Sequence, residues 1–154
     1  FYHYFASKED FALQALEHLY QPRLERYQTA LLNAQQSPRA RVLGYYAEVV
    51  AHFSRQECPE YHCFIGSLSF EMAELSQPIG QQVEAILLRS VQLLANCLEQ
   101  ARTAGEVDAD TDCLALAEFI GNAWEGALLR MKVGRSVAPL SIFLTQLERL
   151  LTPR

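Results

Sequence analysis

The chemistry-bearing residues of this chain gather in the stretch "RQECPEYHCF", where Cys58, His62 and Cys63 stand close together. Two thiols and an imidazole at this spacing admit thiolate reactivity, nucleophilic catalysis or metal binding. Cys63 falls where a short helix, from about Cys63 to Leu75, is predicted to begin. Unpaired amides and the positive end of a helix dipole favour a thiolate there, and a protonated His62 would assist it. The alternative for Cys63 is the commonest fate of a free cysteine, a small buried hydrophobe. Zinc asks for four ligands, and C-x3-H-C has no partner pair; Glu60, Glu71 or Glu74 would complete no standard spacing, so no metal is expected. A thiol enzyme needs a base oriented by a third group and an oxyanion site, whereas sequence neighbours such as His62 and Cys63 usually diverge. No Gly-rich phosphate loop, serine elbow or carboxylate constellation occurs, so an enzyme is not expected and no cofactor is implied. Cys97 and Cys113 lie on apolar helical faces and are expected to pack in the core.

The elements that position these residues are helical nearly throughout, because apolar residues recur at steps of three and four. Ser7-Lys8-Glu9-Asp10 has the form of a capping box, and Leu13, Leu16, Tyr20, Leu24, Tyr27 and Leu31 repeat after it. This predicts a helix from about Lys8 to Ala34, kinked at Pro22. Ser37-Pro38 opens a second helix with Val42, Tyr45, Tyr46, Val49, Val50 and Phe53 on one face. After the predicted short helix, Ser76 and Pro78 open a long one that turns Ile79, Val83, Ile86, Val91, Leu94, Leu98 and Ala101 inward. Gly105 is placed to end it in a left-handed cap. A further helix, about Thr111 to Val133, is apolar nearly all round and closes at Gly134. The last, about Pro139 to Leu151, sets Leu140, Phe143, Leu147 and Leu150 on one side. No segment alternates as a strand does, and the fold class is all-α.

With 154 residues, half of them hydrophobic, the chain can build a full core without disulfide or metal staples. A net charge of -5 excludes a general nucleic-acid binder in this segment taken alone. No apolar run is long enough to span a bilayer, and the irregular cysteine spacing fits free thiols in a reducing cytoplasm. The last two helices carry more apolar surface than one face can bury, which predicts a homodimer formed through them. Gly121, Ala123, Gly126 and Ala127 are small enough to let backbones approach. Phe64, Leu68, Met72, Phe119, Trp124 and Tyr46 are the residue types of an apolar ligand pocket, with Asn122 and Glu125 as its polar groups; the same stripes equally serve as plain core.

The opening run "FYHYFASKEDF" resembles the end of the DNA-binding domain in TetR-family transcriptional regulators, whose mark is an aromatic-Tyr-x-His/Tyr-Phe-x-x-Lys-x-x-Leu pattern. "HCFIGSLSFEMAELS" and "RMKVGRSVAPL" further resemble the NemR-like branch of that family, whose members answer to reactive electrophiles. The resemblance implies a TetR-like ligand-binding and dimerisation domain joined to the end of a helix-turn-helix. Residues 1–35 would be the end of the recognition helix and the connecting helix, and residues 36–154 the effector-binding and dimerisation domain. Most of the helix-turn-helix would then precede Phe1. It places Tyr2, His3, Tyr4 and Lys8 at positions that contact operator DNA, mainly through phosphates, for which phenol and lysine donors are chemically suited. It sets a sensing cysteine at Cys63, with His62, Phe64, Met72, Trp124 and Lys132 as further effector or sensing residues. Its partners would be operator DNA and a small-molecule or reactive electrophile effector. A thiol-dependent small enzyme and a purely structural helical dimer are the rival functions.

Overall fold

A computed structural model describes residues 7–55 and 76–153, with Lys8 described by its backbone alone. Five helices occur among the described residues: α1 (Lys8–Leu31), α2 (Pro38–Ser54), α3 (Gln77–Thr103), α4 (Cys113–Gly134) and α5 (Ala138–Leu150). The starts follow the capping chemistry legible in the sequence. Ser7 Oγ accepts the Asp10 amide at 3.0 Å, and Asp112 Oδ1 accepts that of Ala115 at 3.0 Å. Ser37 and Ser76 cap α2 and α3 in the same way, each with a proline in the first turn, where a missing N–H costs nothing. The helix predicted between Cys63 and Leu75 lies outside the described residues.

Three boundaries differ from expectation, each for a local reason. α1 stops at Leu31 rather than Ala34, because the Asn33 side chain accepts the Gln35 amide at 3.0 Å and turns the chain. It continues through Pro22 as one helix. At the end of α4 the left-handed residue is Arg135 (φ 47°), one place beyond Gly134, and its N–H returns to the Met131 carbonyl. Gly105, by contrast, takes the left-handed conformation (φ 71°) assigned to it, so that the Glu106 amide reaches the Ala101 carbonyl at 2.8 Å. At the end of α5, Leu150 points outward at 44% exposure and Leu151 is fully buried in its place, because the helix has already ended there.

The main core is built by α2, α3, α4 and α5 with the C-terminal half of α1, and includes Leu31, Val42, Leu94, Leu98, Ile120, Leu140 and Leu147. The N-terminal half of α1 rests elsewhere. Leu16 joins Ile79 and Val83 in a separate small cluster with the start of α3, and the Ser76 hydroxyl donates to the Glu9 carboxylate beside it. Arg39 draws the far end together. Its backbone N–H reaches Glu106 Oε2 at 2.8 Å, its Nε the Leu151 carbonyl at 2.8 Å and one Nη the Thr152 hydroxyl at 3.1 Å. A guanidinium at the C-terminal carbonyls of α5 satisfies acceptors that the helix leaves unpaired.

Cys97 and Cys113 are buried in this core, as their apolar faces predict, and burial pushes both thiols up from their ordinary range. Leu98→Ala, at a site with no exposure, should lower unfolding free energy by about 2–5 kcal/mol in urea titrations. Leu88→Ala on the same helix, at 55% exposure, should change it by about 0.5 kcal/mol or less.

Candidate functional site

α1, α2, α3 and α4 diverge around a cleft of about 1470 Å³. From α1 it takes Tyr20, Arg23 and Tyr27; from α2, Tyr45 and Tyr46; from α4, Trp124 and Glu125. Its volume exceeds that of an ordinary small-molecule pocket, about 300–1,000 Å³. Helical spacing explains the composition. Tyr27 sits one turn before Leu31, and Tyr46 one turn after Val42 and one before Val50, so each lies in a buried row while its hydroxyl end reaches the space between helices.

The rings form a continuous set. Tyr45 lies 4.6 Å from Tyr27 and 5.3 Å from Tyr46, centroid to centroid. Tyr46 lies 5.0 Å from Trp124 and 5.1 Å from Phe143 of α5, and Trp124 lies 5.1 Å from Phe143. These separations and tilted or edge-on angles are the favoured aromatic geometry. Tyr27 and Tyr46 share one hydrogen bond between hydroxyls, at 3.3 Å, while 7% and 3% exposed. Burial is the leading cause that pushes both phenols above their ordinary range, and the same holds for Tyr45. Glu125, half-buried at the cleft wall, has its carboxyl raised by burial, with Arg23 acting against the shift.

Trp124 is thus placed at the cleft, and so are Tyr46, Asn122 and Glu125. One expected placement differs. Phe119 points away from the cleft at 61% exposure, because it lies on the opposite face of α4 from Ala117 and Ile120. Met131 lines the cleft from the last turns of α4, and Lys132 stands half-buried beside it. His62, Cys63, Phe64 and Met72 lie outside the described residues, as do Cys58 and Leu68. So do Tyr2, His3 and Tyr4, and the Lys8 side chain. Among the described residues no group of three or more His, Cys, Asp or Glu gathers as a metal site would require.

Sequence inspection passed over Tyr27, Tyr45, Arg23 and Glu48 as cleft residues. The available signal was three phenols on faces otherwise apolar, since a buried hydroxyl must find a partner.

Among the described residues the chain is an all-α body with an aromatic cleft, and α1 forms one of its walls. The tetracycline-repressor-like C-terminal domain family matches residues 38–147, and this chain belongs to that family. It is 30% identical to the HTH-type transcriptional repressor DhaR of Mycobacterium sp. (strain GP1), over 99% of this chain and 75% of that protein. It is 29% identical to the HTH-type transcriptional repressor NemR of Escherichia coli (strain K12), over 98% of this chain and 75% of that protein. The crystal structure of reduced E. coli NemR superimposes with a TM-score of 0.89 at 28% identity, covering 98% of this chain and 78% of that one. These relatives are transcriptional regulators rather than enzymes. Among the described residues no helix is long and apolar enough to cross a membrane.

Two pH effects follow, with opposite signs. A carboxyl whose folded pKa is raised costs stability as pH rises from its unfolded value of 4.5, so Glu125→Gln should gain in Tm over the parent between pH 4.5 and neutrality and show no gain below it. The raised phenols hold their stabilisation below pH 10 and lose it above. Phenolate absorbance should therefore show a group of tyrosines that ionises only as the chain unfolds.

Proposed function

We propose that this chain is the effector-binding and dimerisation part of a DNA-binding repressor, released from its operator by a small molecule or a reactive electrophile. The observation that carries it is that α1, the helix that would lead from the DNA-binding unit, forms one wall of the cleft. A ligand between α1 and the body touches an element whose tilt sets the position of the recognition helix. Two recognition helices must lie about 34–36 Å apart to enter successive major grooves, so a change in tilt lowers affinity. The coupling is limited by how much better the ligand binds one state than the other. Residues 1–35 would then belong to the DNA-binding side and 36–154 to the sensing body, with Tyr2, His3, Tyr4 and Lys8 on operator phosphates.

A second copy would cover the outer face of α4 and α5. Phe119 (61% exposed), Gly126, Leu129 (50%) and Val133 (77%) follow one another at coiled-coil spacing along α4, and Ile142 (63%) adds to them from α5. A Cβ added at Gly126 would meet nothing within 4 Å, so this glycine leaves room for a close partner backbone. Gly121 faces Val91 of α3, Ala123 packs against the main core and Ala127 is buried, so of the small residues singled out in the sequence Gly126 is the one on the open stripe.

Phe119→Glu with Leu129→Glu should halve the mass measured by sedimentation equilibrium while far-UV dichroism stays unchanged, and operator binding by the full-length protein should be lost. A mass that stays the same would remove the assigned face.

The thiol branch rests on Cys63, with His62 beside it and Lys132 as a further cation. Iodoacetamide treatment of the native full-length protein, followed by peptide mass analysis, should modify Cys63 ahead of the buried Cys97 and Cys113. Modified protein should bind operator more weakly, and Cys63→Ser should be indifferent to the reagent. Modification with unchanged operator affinity would leave small-molecule release alone standing.

A further inference from the structure

The polar groups of the cleft select among ligands. Two phenols carry two hydroxyl protons, and the Tyr27–Tyr46 hydrogen bond uses one of them. Among the described residues nothing accepts the other, although both side chains are more than nine-tenths buried and line the cleft. The ring of Trp124, half-buried, lies 5.0 Å from that of Tyr46. This part of the cleft is therefore bounded by aromatic faces and offers a surplus donor. Buried donors left unmatched are costly, so a ligand that supplies an acceptor gains more here than it would at a solvated surface. Nearer the Tyr45 hydroxyl the charges balance, with Arg23 and Arg26 set against Glu48 and Glu125, so neither a cation nor an anion finds a one-signed field.

We infer that the cleft takes a neutral, flat aromatic or conjugated carbonyl compound, whose rings lie among Tyr45, Tyr46 and Trp124 and whose oxygen accepts the proton that the Tyr27–Tyr46 pair leaves over. The inference rests on the cleft being the effector site. Its recognition is non-covalent and separate from any thiol chemistry.

Trp124 is the chain's single tryptophan and stands at the cleft, so its fluorescence reports occupancy directly. Four probes of one ring size separate the possibilities when titrated by fluorescence and calorimetry: 2-acetylnaphthalene, its hydrocarbon isostere 2-isopropenylnaphthalene, 2-naphthylmethylamine and 2-naphthoate. The ketone should bind about tenfold more tightly than the hydrocarbon, and more tightly than either ion. In the double variant Tyr27→Phe with Tyr46→Phe, ketone and hydrocarbon should bind equally. Should that variant fail to fold, the ranking of the four probes on the parent chain decides alone. Equal binding of ketone and hydrocarbon by the parent chain, or tighter binding of the amine or the carboxylate, would overturn the carbonyl assignment and leave the cleft as the effector site. No response at Trp124 to any probe would overturn the effector-site reading, and the inference with it.

Discussion

The fold depends on burying the phenol of Tyr46. Its ring meets Tyr27 of α1, Trp124 of α4 and Phe143 of α5, while Tyr46 itself belongs to α2. Four helices thus converge on one side chain that is 3% exposed. A phenylalanine would satisfy the packing but would need no hydrogen-bonding mate. Tyr46 needs one, and Tyr27 supplies it, which fixes the rotation of α1 against α2 at the point where α1 joins the core. The body is held by a polar contact inside an aromatic shell, so it specifies one arrangement of α1 where plain apolar packing would admit several.

This constraint divides α1. From Leu24 to Leu31 it is buried in or beside the main core, whereas Leu16 belongs to the separate cluster with Ile79 and Val83. Between the two attachments Tyr20 and Arg23 border the cleft. The outer half of α1 is therefore coupled to the start of α3, and the inner half to α2. Interfaces of this kind have few discrete packings, so a ligand wedged between the attachments acts on the relation of one to the other rather than on either core.

Most of the helical frame was legible because it rests on local chemistry. Ser7, Ser37, Ser76 and Asp112 cap as their positions require, and Gly105 takes its left-handed turn. What the sequence could not supply was the assignment of faces on α4. Apolar residues surround that helix, so period alone cannot say that Phe119 faces out and Trp124 faces the cleft. The same ambiguity hid which small residue stands on the open stripe. The cleft was half legible: Tyr46, Trp124, Asn122 and Glu125 were marked by type, but Tyr27 and Tyr45 were absorbed into helical rows, and their pairing is a long-range contact that no spacing reveals.

Under the proposed reading, α4 also lets one small body join two functions. One side of it carries Ala117, Trp124 and Glu125 to the cleft, and the other carries Phe119, Leu129 and Val133 outward. A helix is stiff along its length, so a displacement imposed on Trp124 reaches the outer stripe without an intermediary. By linkage, any partner that prefers one position of α4 changes ligand affinity by the same factor as the ligand changes affinity for that partner. Phe143 makes this tighter, because it packs against both Tyr46 and Trp124 while lying on α5, whose outer face carries Ile142. Under the proposed reading, ligand, dimer and operator are thus linked through one aromatic contact set, and separating them would require changing Tyr46 itself.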